Sequence, residues 1–269
     1  MIVSASPLPL RTASRRARYA LDIHADQVQG MRPRQEDGAL VRRVRDAVLV
    51  AVADGVGGHP AGEEAAALAL DTLDQNFLVQ NFATPLEAGD WLAAVFKTAH
   101  AAVTAFGKGW SADGKRPCTT LTAAVILPRS GVFAYASAGD SHLYRCDGKA
   151  GIARLTTVQQ DEKGRLTSCI GGKRLVIDGA GQLYLMRPGE TLLFATDGLD
   201  VLSLPLVAAT VGDAPTASAA AAKLLDLVDR RAHPKQDNAS LAVVRVRPAQ
   251  PDAVAARDAG LAGRAGAAR

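Results

Sequence analysis

Aromatic residues are scarce in this chain, at 4% of 269 positions, so a core of any size must be built from Ala, Val and Leu. Cysteine is scarce too, and odd in number. Cys118, Cys146 and Cys169 share no metal-binding spacing and read as reduced thiols of a cytoplasmic protein, not as a disulfide framework. No apolar run approaches the length needed to cross a bilayer, which argues against a membrane-spanning helix. Near the N-terminus Pro7 and Pro9 interrupt the apolar residues and arginines follow them, an order unlike that of a secretory signal. Net charge is also small where it matters. Arg11, Arg15, Arg16 and Arg18 give residues 1–18 a charge of +4 and residues 248–269 add +1, leaving the body at −1. The basic pI of about 9.1 is a property of the ends, and no nucleic-acid or membrane partner is expected.

What is present suffices for one large domain, since 48% of the chain is hydrophobic. Residues 1–18 read as a flexible basic arm, 19–247 as the catalytic domain, and 248–269, rich in Ala, Gly and Arg, as a disordered tail. Within the body, alternation predicts strands over 19–26 and 38–43, and a continuous apolar run predicts a buried one over 48–53. Helical spacing of Ala66, Leu70, Leu73 and Phe77 predicts a helix over 63–77. Thr84-Pro85-Leu86-Glu87 resembles a capping box that opens a second helix ending at Gly107, with Asp90 as an alternative start. Strands are predicted over 120–127, 132–138, 142–145, 182–186, 191–195 and 241–246, and a last helix over 216–231. Short connections favour antiparallel pairing. Strands, paired helices and strands again suggest an α+β fold, a four-layer αββα sandwich with two antiparallel sheets flanked by helices.

Three strand-like runs end in Asp beside Gly: Val48 to Asp54-Gly55, Phe133 to Gly139-Asp140, and Thr191 to Asp197-Gly198. Glu36 and Asp37 precede the second strand, and Asp237 and Asn238 precede the last. Carboxylates gathered at strand ends repel one another and resist desolvation, so together they call for cations, and hard oxygen donors suit magnesium or manganese. Asp54 is the natural bridge between two ions. Glu36 and the Gly55 carbonyl would complete one, Asp197 and Asp237 the other, and Arg32 would hold a phosphate with its planar fork.

Gly30-Met-Arg32-Pro-Arg-Gln-Glu36-Asp37, Val52-Ala-Asp54-Gly-Val-Gly-Gly-His-Pro-Ala-Gly-Glu63, Thr119-Thr-Leu-Thr-Ala-Ala, Ala138-Gly-Asp140-Ser, Ala195-Thr-Asp197-Gly-Leu and Asp237-Asn238 follow one another in an order that resembles the metal-dependent serine/threonine phosphatases of the protein phosphatase 2C type, in their compact bacterial form. The resemblance implies two Mn2+ or Mg2+ ions and hydrolysis of phosphoserine or phosphothreonine by a metal-activated water. It implies Arg32, Asp54 and Asp197 as catalytic residues, Arg32 binding the substrate, and Glu36, Asp54, Gly55, Asp197 and Asp237 as ligands. Asp37 and Asn238 would support these, and Asp140 with Asp197 would serve a weaker third ion. The expected partners are phosphoproteins and a serine/threonine kinase, with the enzyme a monomer. A phosphatase fold that binds a phosphoprotein without turnover, and an enzyme acting on a small phosphomonoester or phosphohistidine, are the alternatives.

The departures from the family pattern are specific. Gln35 stands where Asn is usual, Cys118 where Gly precedes Thr-Thr, and His142 where Arg follows Gly-Asp-Ser. Val56 replaces a histidine of eukaryotic relatives, with His59 nearby as a weaker candidate. Asp200 falls one residue short of the usual third-metal carboxylate. The segment from Thr157 to Gly171 is short, and an open site is expected from a reduced flap.

Overall fold

The computed structural model describes residues 19–110, 115–147, 151–231 and 234–249. The N-terminal arm and residues 250–269 of the tail lie outside them.

Chain order is β1 (Tyr19–Val28), β2 (Asp37–Val44), β3 (Ala47–Asp54), α1 (Gly62–Leu78), α2 (Pro85–Phe106), β4 (Leu121–Leu127), β5 (Val132–Ala138), β6 (His142–Cys146), β7 (Ile152–Arg154), β8 (Tyr184–Leu185), β9 (Thr191–Ala195), α3 (Leu204–Asp213), α4 (Ala217–Arg230) and β10 (Ala239–Pro248). The strands form two five-stranded sheets, β1-β10-β9-β6-β7 and β2-β3-β4-β5-β8, and every pairing is antiparallel.

Strand β3 shows why four layers form. Successive side chains of a strand leave on opposite faces, and here both faces are apolar. Leu49, Ala51 and Ala53 pack with Leu73 and Phe77 of α1 and Leu92 and Phe96 of α2. Val48, Val50 and Val52 point the other way, into the core between the sheets with Ile126, Phe133, Leu192, Phe194 and Val244. A third cluster seals α3 and α4 onto the opposite sheet through Leu193, Val243, Val211 and Leu224. Phe77 and Leu73 are fully buried, each stabilising the fold by about 1.5–3 kcal/mol. Alanine fills much of the rest, as the lack of aromatics requires.

Helix α2 begins at Pro85, which removes Asp90 as its start. Thr84 makes no capping bond, yet Glu87 reaches back to accept from the Ala83 N–H at 2.8 Å and from the Thr84 hydroxyl at 3.3 Å. The Thr216 hydroxyl does cap α4, accepting from the Ala219 N–H at 3.1 Å. Of the strand expected over 182–186 only Tyr184–Leu185 pairs, because β5 offers it just Val132 and Phe133 at the sheet edge. Helix α3 and strand β7 were not expected: α3 buries only Val207 and Val211, too sparse a pattern to read as a helical face. Pro248, the first residue assigned to the tail, closes β10.

Candidate metal centre

Antiparallel pairing brings starts and ends of strands to the same edge. Asp37, opening β2, sits directly opposite Asp54, closing β3. Ala195, closing β9, pairs with His142 at the start of β6 and with Leu241 near the start of β10. Asp197 follows in a one-turn 3-10 helix, Asp140 lies in the β5–β6 turn, and Asp237 precedes β10. One cavity of about 540 Å³ is lined by Arg32, Glu36, Asp54, Gly55, Asp140, Asp197 and Asp237. The expected ligands therefore share one cavity, but they are not equally close. Asp54, Asp140 and Asp197 form the tight group, each offering an oxygen within 4.8 Å of the others. Glu36, Gly55 and Asp237 line the wall around it.

The backbone around Asp54 leaves little slack. The Gly55 N–H donates to the Glu36 carbonyl at 3.0 Å and the Val56 N–H to the Cys118 carbonyl at 3.0 Å. The Asp54 carbonyl accepts from the Thr119 hydroxyl at 2.8 Å and the Thr120 N–H at 2.9 Å. A side chain at Gly55 would overlap the Gly62 backbone, so the turn into α1 requires glycine there. Asn238 is a clasp. Its Oδ1 accepts from the Glu36 N–H at 2.9 Å while its Nδ2 donates to the carbonyls of Gln29 and Arg34 at 2.7 and 2.9 Å. Asp37 is buried and accepts from the Thr196 hydroxyl at 2.6 Å.

Electrostatics make the cluster costly. Burial first, then the neighbouring Asp140, Asp237 and Asp37, pushes the Asp197 carboxyl up to about 7. Burial pushes Asp37 up to about 6, partly offset by the Thr196 hydroxyl and a bond to Asp54. Asp54 is raised well above the carboxylate range by burial and then by Asp37 and Asp197. Asp140 is raised by burial against a bond from the Gln160 amide. The buried Asp197 Oδ1 has no hydrogen-bond partner. A group of close, hard oxygen donors with raised proton affinity and one unpartnered buried oxygen fits a divalent cation, which would replace the shared protons and satisfy that oxygen.

Arg32 does not stand free. Its guanidinium donates to the Asp237 carboxylate, and that bond is the largest cause raising the arginine above its ordinary value. Gly57 lies against the guanidinium, where a Cβ would come to 3.1 Å of Nη1.

Several site residues had no reading from sequence as contacts of the centre. Thr196 stands next to Asp197, and its neighbourhood to a ligand was the available signal. Gln160 carried none, since its bond to Asp140 crosses between loops. His142 is buried and its Nε2 lies 3.0 Å from Oδ1 of the exposed Asp200. His59 lines the cavity, its Nδ1 bonded at 2.8 Å to the Arg116 carbonyl. A carbonyl only accepts, so Nδ1 carries the proton. The segment 157–171 lines one wall of the cavity with Gln160, Gly164, Arg165 and Leu166, held by a Gln160–Leu166 bridge and an Asp161–Arg165 ion pair at 2.6 Å.

The sequence profile of the family described as protein phosphatase 2C matches residues 27–242. A Streptococcus pyogenes serotype M6 protein, provisionally named as protein phosphatase 2C-type, is 26% identical over 215 residues, covering 73% of this chain and 85% of that protein. The S. agalactiae serine/threonine phosphatase superposes with a TM-score of 0.75 at 22% identity, covering 84% of this chain and 99% of the other. The catalytic domain of the serine/threonine phosphatase PstP, in complex with two manganese ions, superposes at 0.68 with 24% identity, covering 85% and 99%. PppA of Pseudomonas aeruginosa, described as a regulatory component of the type VI secretion system, gives 0.72 at 22%, covering 84% and 97%. At these identities the solved structures establish the shared fold. Among the described residues no helix is long and apolar enough to cross a membrane.

Proposed function

The chain belongs to the protein phosphatase 2C family, and from that premise we propose that it is a metal-dependent phosphatase acting on phosphoserine and phosphothreonine in proteins, opposite a serine/threonine kinase. The observation that carries the reading is the convergence of Asp54, Asp140 and Asp197 in one cavity with Arg32 at its wall. Glu36, Asp54, Gly55, Asp197 and Asp237 would hold two Mn2+ or Mg2+ ions, and Asp140 with Asp197 a third. Bound there, such ions neutralise charge on the transferring phosphoryl group and make water a nucleophile at neutral pH.

The chain's own residues do the rest. Asp54, flanked by Glu36 and Gly55, would be shared by the two ions, and the Thr119 and Thr120 bonds to its carbonyl keep it in place. Arg32 orients the phosphate. To do so it leaves Asp237, whose carboxylate is thereby released to the cation site. Asn238 and Asp37 fix the ligands from behind. Val56 offers no acid beside the cavity, and His59 turns its Nδ1 proton to the Arg116 carbonyl, so solvent would be the donor to the leaving oxygen. His142 keeps Asp200 on the rim, which makes the third ion the weakest. The protein is taken as a cytoplasmic monomer.

The test is hydrolysis of p-nitrophenyl phosphate, then of a phosphothreonine peptide, by metal-stripped protein with and without Mn2+, beside Asp54→Asn and Asp197→Ala. Manganese-dependent turnover of both substrates that both variants lose is expected. A folded wild type that binds Mn2+ but turns over neither substrate would instead leave a phosphoprotein-binding module. Turnover of the small ester alone would leave a small-molecule phosphatase.

A further inference from the structure

We propose that Cys118 and Cys169 are a modification site, closing a reversible disulfide on reaction with a hydroperoxide, and that this bond disturbs the turn carrying Asp54. The disulfide stands apart from the phosphatase reading; its effect on turnover rests on it.

All three cysteines are free and buried, but only two meet. Cys118 and Cys169 come from distant parts of the chain and line the same two cavities, with the Cys118 Sγ 3.4 Å from His59 Nδ1. Cys146 sits apart, packed beneath α3 and α4. The contact is built by an antiparallel bridge in which the N–H groups of Thr119 and Ile170 each donate to the other's carbonyl, at 3.0 and 2.9 Å. In that register Gly171 faces Cys118, so no side chain is interposed, and the two cysteines leave the pair on the same side. A disulfide has an S–S length of about 2.05 Å, so the sulfurs must close up from contact. The bridge lies outside the named strands, and on its other side Thr119 is bridged to Gly55, so the shift is passed on to the turn that follows Asp54.

The chemistry is divided between the two. The Cys118 thiol donates to Cys169, and this bond, with the Gly172 N–H behind it, lowers the proton affinity of Cys169 while raising that of Cys118. Cys169 is thus the readier of the two to act as nucleophile, and Cys118 is the resolving thiol. Both line the acidic cavity and also a neighbouring cleft of about 560 Å³ walled by Lys115, Arg116, Lys173 and Arg174, which gives a small peroxide its approach. The Cys169 sulfur attacks one peroxide oxygen and displaces the other as hydroxide, which takes up the proton that Cys169 gives up and leaves as water, giving a sulfenic acid. The Cys118 sulfur then attacks the Cys169 sulfur, the S–O bond breaks, and the hydroxyl departs with the Cys118 proton as a second water. Two thiols and one peroxide become one disulfide and two waters, a two-electron oxidation. A dithiol reductant reverses it.

The consequence follows from what Cys118 holds. Its carbonyl accepts from the Val56 N–H at 3.0 Å, and the adjoining Thr119 hydroxyl donates to the Asp54 carbonyl at 2.8 Å. Drawing Cys118 toward Cys169 therefore pulls on both ends of the Asp54–Val56 turn.

The experiment treats the full chain with hydrogen peroxide, alkylates remaining thiols after denaturation, and maps peptides by mass spectrometry, with p-nitrophenyl phosphate turnover in Mn2+ read in parallel. A Cys118–Cys169 linkage is expected, with Cys146 alone alkylated, turnover lowered about tenfold, and both changes reversed by dithiothreitol. Cys169→Ala, a small-residue replacement, should keep its reduced-state turnover and resist peroxide; Cys118→Ser is a second control that cannot close the bond. Three alkylated cysteines after treatment, or separate sulfinic acids at the two positions, would overturn the site. Linkage with undiminished turnover would overturn the coupling to Asp54. A reduced protein with no turnover at all would count against the phosphatase reading, while the linkage is still read by mass.

Discussion

Without metal, this protein should lose stability as the pH rises, against the habit of ion-paired carboxylates. Asp37 and Asp197 have values raised from 3.8 to about 6 and about 7, with burial the largest cause in both. A carboxyl with a raised folded value binds more protons folded than unfolded, so its contribution is complete below about pH 4 and is lost as the pH climbs through the folded value. Raising Asp37 from 3.8 to about 6 corresponds to about 3 kcal/mol. Asp37, Asp54 and Asp197 share protons, so the cluster as a whole is assigned one such contribution. Near pH 5 about half of that is already lost, so for a domain of this size the melting temperature should be about 3–6 °C lower near pH 8 than near pH 5. The assay is thermal unfolding by calorimetry in chelator across that range, repeated with Mn2+, which should flatten the dependence by replacing the protons. Asp197→Asn, which removes one charge, should melt above the wild type in chelator near pH 8 and below it in Mn2+. A metal-free protein that gains stability between pH 5 and 8, or an Asn variant less stable than wild type in chelator, would refute the reasoning.

Asn238→Ala leaves the Glu36 N–H and the Gln29 and Arg34 carbonyls without partners, and should weaken Mn2+ binding by about 10–100-fold, read by titration calorimetry. Arg32→Ala should lower kcat/KM for a phosphopeptide by about 10–100-fold while Mn2+ affinity holds or improves, because Asp237 loses its competing cation; a fall in affinity would count against that competition. Gly198→Ala places a Cβ against the Asn238 carbonyl and should cost about 1–3 kcal/mol in chemical denaturation.

Strand β3 was legible because a valine-rich run closed by Asp-Gly has one reading, and its two faces then implied layers on both sides. Strand β8 was overread, because its apolar residues meet only two partners at a sheet edge, and edge pairing is set by the neighbour's length. Helix α3 was missed because it buries too few residues to show a period. At the site, the ligands on strand ends could be found from Asp beside Gly. Which of them cluster could not, since the grouping of Asp140 with Asp54 and Asp197, the Arg32–Asp237 pair and the wall supplied by 157–171 depend on side-chain directions that meet across distant segments.

The most direct test of the central claim is calorimetric titration of Mn2+ into chelator-stripped wild type and Asp54→Asn, with circular dichroism to show both folded. Two equivalents bound by the wild type, and loss of at least one in the variant, is the expected result. A folded wild type that takes up no Mn2+, or an Asp54→Asn protein that binds as the wild type does, would contradict the account.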